Sequence, residues 1–203
     1  MARITLTRER VLQAAIELAD ATGVESLSMR ALGAHLGVEA MSLYNHVDNK
    51  NDLLDGMCDA VWRSVDLALE EPDWQRALRT ITTSLHEAFL LHPWAAREHG
   101  TRISAARLRA IDAQLAHLTR GGLSRDAVFH AHHTLDGYVL GYSLQVIDFV
   151  GSSHPEAEAL FLELAPSLPH LAEHFEQHGA EHEQRGFDVG LDLLLEGLAR
   201  LGS

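Results

Sequence analysis

Between Gly37 and Lys50 the chain crowds Ser42, Tyr44, Asn45 and His46 onto one short stretch, with Arg30 a little upstream. A serine, a tyrosine, an asparagine and a histidine on one short helix are hydrogen-bonding groups suited to phosphate oxygens and base edges. Arg30 adds a planar fork able to meet guanine bidentately. Lys50 stands where a longer helix begins, so its ammonium and the helix terminus would anchor one phosphate together. Glu39, Ala40 and Met41 open the same short helix, and a thymine methyl suits the small or apolar pair. A polar, solvated helix is the alternative reading of this surface.

Fourteen histidines raise a second chemistry, metal binding. His130, His132 and His133 cluster, and His170, His174, His178 and His182 recur every four residues, which stacks imidazoles on one helical face. Gly179 interrupts that series, no cysteine pair exists and HExxH does not occur, so no cofactor or resident metal is expected and metal sensing stands only as an alternative effector mode. No GxSxG turn, phosphate-binding glycine loop or defined carboxylate pair is found either, which leaves an enzyme using pocket histidines such as His133 as the weaker alternative and assigns no catalytic residue. Cys58, among Leu54, Met57 and Val61, reads as a buried thiol in a reducing, cytoplasmic setting. Neither a signal peptide nor a membrane-length apolar run is present, so no membrane partner is expected.

The elements that must position these groups are helical nearly everywhere, with no strand-length alternation, and the expected fold is all-α. Val11, Leu12, Ala15, Ile16 and Ala19 recur at three to four residues in a first helix that stops at Gly23. Ser28 caps Met29 to Leu36, Gly37 breaks that helix, and a second short helix runs from about Ala40 to His46. Leu32, Leu36, Val38, Leu43 and Val47 would form a small core and turn Glu39 to Ser42 and Tyr44 to His46 outward. Two short helices joined by so tight a turn, behind a longer supporting helix, are the layout of a three-helix helix-turn-helix domain, expected over residues 1–48. A connecting helix over about 50–69, carrying Trp62 and Asp66 one turn apart, opens a larger helical domain over 49–203.

The charge agrees with this division. Residues 1–50 carry five basic and six acidic side chains, and the remainder carries eleven and twenty-three, within a net charge of -13. An acidic body would turn a DNA duplex away from every face except the nearly neutral N-terminal one. Downstream, Asp73 to Leu91, a short piece near Trp94 and Ser104 to Thr119 would wall a cavity for a small-molecule effector. Ser124 to about Val150 and Glu181 to Leu201 are expected to dimerise as a four-helix interface. Gly137, Gly141, Gly186, Gly190 and Gly197 each cost about 1 kcal/mol relative to alanine inside a helix, so close helix approach near Gly137, Gly141, Gly190 and Leu194 is the expected compensation. The twofold axis predicts a pseudopalindromic DNA site.

The stretch LSMRALGAHLGVEAMSLYNHVDNKNDLLD, Leu27 to Asp55, resembles the tetracycline repressor (TetR) family. The rest resembles the C-terminal domain of its tetracycline-responsive branch, with DWQRALR at Asp73, HGTR at His99 and QHGAE at Gln177 as landmarks. The resemblance implies a ligand-responsive, homodimeric transcriptional repressor of double-stranded DNA. It implies DNA contacts by Arg30 and Tyr44, phosphate contacts by Ser42 and Lys50, and base reading at Ala40. It also implies a connecting helix that swings with effector, and ligand-lining positions at Asp66, Ile81, Leu85, Glu98, Thr101, Gln114, Phe129 and His133, to which Trp62 is added as an aromatic wall. Glu98 stands where the branch carries a magnesium-chelating histidine, so an effector other than tetracycline is expected.

Overall fold

Each early helix begins at a side-chain cap. The computed structural model describes residues 6–151, 155–176 and 180–201, and the long regular elements in them are all α-helices. Thr7, Ser28 and Asn49 accept hydrogen bonds from the first-turn amides of α1 (Arg8–Thr22), α2 (Met29–Leu36) and α4 (Lys50–Ser64), satisfying donors that a helix start leaves bare. Gly23 and Gly37 end α1 and α2 at positive φ. Val11, Ala15, Leu32, Leu43, Val47, Leu53 and Met57 close into the core of the head, while Leu36 and Val38 stay half-buried at its edge.

Two helices are shorter than the sequence pattern suggests. The second helix of the turn, α3, holds α-helical geometry over Ala40–Leu43, and the chain continues through Tyr44 to His46 as a tighter turn with amides bonded three residues back. The connecting helix stops at Ser64, not near Leu69. Val65 is extended, the Asp66 amide donates to Ser84 Oγ, and the Asp66 carboxylate accepts from the Ala68 amide. A side-chain turn of this kind competes directly with helix. Leu67 then offers its carbonyl to the buried His117 ring, which pins the segment against the following helices.

The larger domain is built from α5 (Trp74–Leu91), the short α6 (Pro93–Glu98), α7 (Ala105–Arg120), α8 (Arg125–Gly151) and α11 (Ala180–Leu201), with α5, α7 and α8 packed on one another and α11 laid across α8 and α5. Phe187 of α11 is fully buried, stacked 3.9 Å from His86. Burial pulls the His86 pKa down to about 4, so its ring is neutral near pH 7, and Nδ1 lies 2.8 Å from Ser143 Oγ. Between α8 and α11, α9 (Pro155–Leu164) and α10 (Pro169–Glu176) pack around the short turn at residues 165–167, and α9 buries no residue. The landmark at 177–179 lies outside the described residues.

Candidate nucleic-acid interface and helical cleft

The turn between α2 and α3 is as tight as a backbone allows. A Cβ on Gly33 would stand 2.9 Å from the Val38 carbonyl oxygen and 3.1 Å from the Ala40 amide nitrogen, so only glycine lets the two helices approach this closely. Sequence reasoning credited the turn to Gly37 and missed Gly33. With Leu43 buried beneath it, α3 presents Glu39, Met41, Tyr44 and Asn45 as exposed side chains, Met41 at 73 %. Ala40, Ser42 and His46 are half-buried, and Arg30 and Lys50 are exposed on either side.

Arg8 locks this surface to the next helix. Its guanidinium donates to both carboxylate oxygens of Asp52 at 2.7 and 2.8 Å and to the His46 carbonyl at 2.8 Å. The Arg8 hydrogen bond is the main reason the Asp52 pKa falls to about 2, assisted by the Asp48 amide. An unfolded aspartate titrates near about 3.9. Because the folded value is the lower one, this clamp contributes fully above that pH and its contribution is lost as pH falls toward 2. The Tm of the wild type is therefore expected to drop more between pH 5 and pH 2 than that of Asp52→Asn, which should start lower at neutral pH; parallel curves in thermal melts would refute the clamp.

A second site lies in the larger domain, where α4, α5, α7 and α8 meet. Trp62, Ile81, Thr82, Leu85, Ala110, Ile111, Gln114, His132, Asp136 and Val139 line a narrow cleft. It encloses about 20 Å³, room for one water, because Gln114 Oε1 and His132 Nδ1 tie α7 to α8 at 2.5 Å. His132 is held below its ordinary pKa by burial. For Asp136 burial opposes the charge, yet the hydrogen bond from His99 and the charges of His99, Arg107 and His132 leave its pKa below the usual value, so the carboxylate is ionised. His99 Nε2 stands 3.2 Å from Asp136, and Arg107 lies over the Trp62 ring.

Of the sequence-assigned ligand positions, Trp62, Ile81, Leu85 and Gln114 line this cleft and five do not. Asp66 is exposed beyond the end of α4. Glu98 is engaged with Thr101 and Arg102 outside the cleft. Phe129 and His133 project outward, Phe129 at 58 % exposure, because the buried Ala131, Leu135 and Val139 fix the inward face of α8. That face carries His132 and Asp136 instead, readable in sequence from the helical spacing around Ala131, Leu135 and Val139. His130, His132 and His133 thus diverge, and among the described residues no three His, Cys, Asp or Glu side chains gather in a metal-binding group. His170 is exposed, while His174, His178 and His182 fall outside the residues whose side chains are described.

The helical glycines divide into two kinds. Gly186 and Gly190 face their own chain, where an added Cβ would meet the Tyr142 and Tyr138 hydroxyls, and Leu194 packs on the core. Gly190 and Leu194 therefore seat α11 on α8, with Tyr138 donating to the Phe187 carbonyl at 2.7 Å. At Gly137, Gly141 and Gly197 an added Cβ would meet nothing. They lie at four-residue spacing with Phe129 and His133 on α8 and with Val189, Leu193 and Leu201 on α11, all exposed.

Head and body also touch directly. Asp20, near the end of α1, accepts from Trp94 Nε1 at 2.7 Å and faces His92 Nδ1 at 3.0 Å, so the N-terminal end of α6 is fastened to the head. At its other end α6 leads into His99, beside Trp62 and Asp136.

A helix-turn-helix head with an exposed polar helix, fused through one helix to an all-helical body enclosing a cleft, defines a DNA-binding regulator class. Residues 11–57 match the family model described as bacterial regulatory proteins, tetR family, and residues 68–201 match the tetracyclin repressor-like C-terminal domain. The chain belongs to the TetR family of transcriptional regulators. An HTH-type transcriptional regulator of Saccharopolyspora erythraea is 36 % identical to it, over 96 % of this chain and 85 % of that protein. The class D tetracycline repressor protein of Escherichia coli is 32 % identical over 94 % and 93 %. The crystal structure of the Streptomyces coelicolor TetR family protein ActR in complex with actinorhodin superposes with a TM-score of 0.79 at 28 % identity, over 98 % of this chain and 100 % of that one.

Proposed function

We propose that this protein is a cytoplasmic, homodimeric repressor that is released from a pseudopalindromic operator when a small molecule enters the cleft. The observation that carries the reading is the helix α4. It starts beside the DNA-facing surface at Lys50 and ends against the cleft at Trp62, so one rigid element touches both sites. Arg30 and Tyr44 contact bases or backbone, Ser42 and Lys50 hold phosphates, and Ala40 sits against a base edge, with Glu39, Met41, Asn45 and His46 completing the surface. The class D repressor and the ActR–actinorhodin complex support an effector in the body, and the acidic body supports approach through the head alone.

The bare strip of Gly137, Gly141 and Gly197, flanked by Val189 and Leu193 at 50 and 66 % exposure, supports a twofold interface, since glycine is costly in a helix unless another surface approaches it. Val189 and Leu193 take the place that the sequence reading gave to Gly190 and Leu194. The test is fluorescence anisotropy on DNA from the upstream region of the protein's own gene and on fragments selected from the genome. Two chains per site are expected, and Arg30→Ala and Tyr44→Ala are each expected to weaken binding by roughly tenfold or more. Specific binding unchanged in both variants, or an empty selection by folded protein, would refute the reading.

A further inference from the structure

The lining of the cleft carries a bias that the family alone does not supply. Its charged group is the Asp136 carboxylate, and no lysine or arginine lines it. Thr82, only 2 % exposed, turns a hydroxyl into the same space, and its Oγ1 has no hydrogen-bond partner among the described residues. An unpaired buried hydroxyl is a standing cost that a native fold relieves when something bonds to it. Around these two groups the walls are Trp62, Ile81, Leu85, Ala110, Ile111 and Val139, apolar and aromatic. Gln114 and His132 satisfy each other across the cleft, and both become available if the helices part.

Resting on the proposed effector site, we infer that its ligand is a planar aromatic molecule bearing hydrogen-bond donors, an amine or phenolic hydroxyls, and carrying no negative charge. The donor meets the Asp136 carboxylate, the aromatic frame lies against Trp62, and a hydroxyl or carbonyl satisfies Thr82. An anionic ligand would be driven into a low-dielectric space against an ionised carboxylate, with no cation lining the wall to offset it. The enclosed volume, about 20 Å³, is far below the roughly 300 Å³ that ligand sites begin at, so entry must separate α7 from α8 and exchange the Gln114–His132 bond for bonds to the ligand. That exchange favours a ligand rich in polar hydrogen over a pure hydrocarbon.

Isothermal titration calorimetry with three probes on one aromatic frame tests this: diaminoanthraquinone, dihydroxyanthraquinone and anthraquinone carboxylate. The first two are expected to bind at least about tenfold more tightly than the third. Asp136→Asn should weaken the diamino probe by about tenfold and narrow its preference over the carboxylate. Thr82→Val should weaken the dihydroxy probe while raising the Tm of the free protein, since it removes an unpaired buried hydroxyl at nearly constant shape. That rise also shows that the variant is folded. Equal or tighter binding of the carboxylate, or donor probes indifferent to both substitutions, overturns the ligand class and leaves the cleft as an effector site. No binding of any probe by protein that still binds its operator overturns the cleft as the effector site, and the class with it.

Discussion

Gly33→Ala is expected to abolish specific operator binding, by about a hundredfold or more, while leaving the effector domain folded. The added methyl has no flexible neighbour to push aside. Its three nearest atoms, the Val38 carbonyl oxygen and the Ala40 nitrogen and Cα, all belong to the backbone of the turn at 2.9 to 3.2 Å. Relief must come from moving α3 away from α2, and base readout does not survive a displacement of that size because its hydrogen bonds hold over only a few tenths of an ångström. Overpacking of this kind costs about 1–3 kcal/mol in stability as well. Gly37→Ala makes the contrast. There a Cβ meets nothing, and the loss is confined to the strain of φ 68°, roughly 1–2 kcal/mol, which Asn would largely avoid. Anisotropy on operator DNA with a circular dichroism melt checks both variants. Wild-type affinity in Gly33→Ala would show that the turn has slack the geometry denies.

The contrast between those two glycines shows how far sequence alone carries. Gly37 was legible because a left-handed helix stop is a local event, written in the residue and its immediate neighbours. Gly33 looks like an ordinary weak spot inside a helix, and its requirement exists only once α3 has folded back against it. The head was readable for the same reason as Gly37: its caps at Ser28 and Asn49 and its core at Leu32, Leu43 and Val47 follow from spacing within some thirty residues. The end of α4 was not, because Ser84 and His117, far along the chain, hold the segment after Ser64 out of helical geometry. In the cleft, the positions on α4, α5 and α7 came out at Trp62, Ile81, Leu85 and Gln114. On α8 the assignment landed one helical face away, on Phe129 and His133, where the buried Ala131, Leu135 and Val139 turn His132 and Asp136 inward.

Asp20→Ala is expected to leave operator binding nearly intact and to blunt release by the donor-bearing anthraquinones, lowering the factor by which probe weakens DNA binding about tenfold. The reasoning runs along α6. At one end His99 sits beside Trp62 and Asp136, where a ligand parting α7 and α8 must disturb it. At the other, Trp94 and His92 grip the Asp20 carboxylate on the head. A rigid six-residue helix, Pro93–Glu98, spans the two, so displacement at the cleft reaches α1 only while that grip holds. Removing the carboxylate strands the indole N–H of a tryptophan that is 3 % exposed, at about 1–3 kcal/mol, so head and body loosen against each other in every state. Asp20→Asn retains an oxygen for Trp94 Nε1 and should preserve most of the coupling, which separates a lost hydrogen bond from a lost charge. Because coupling between binding events is reciprocal, the same tenfold change must appear when probe affinity is measured with and without operator. Full release in Asp20→Ala would confine the coupling to α4 and make the α1–α6 contact a matter of stability alone.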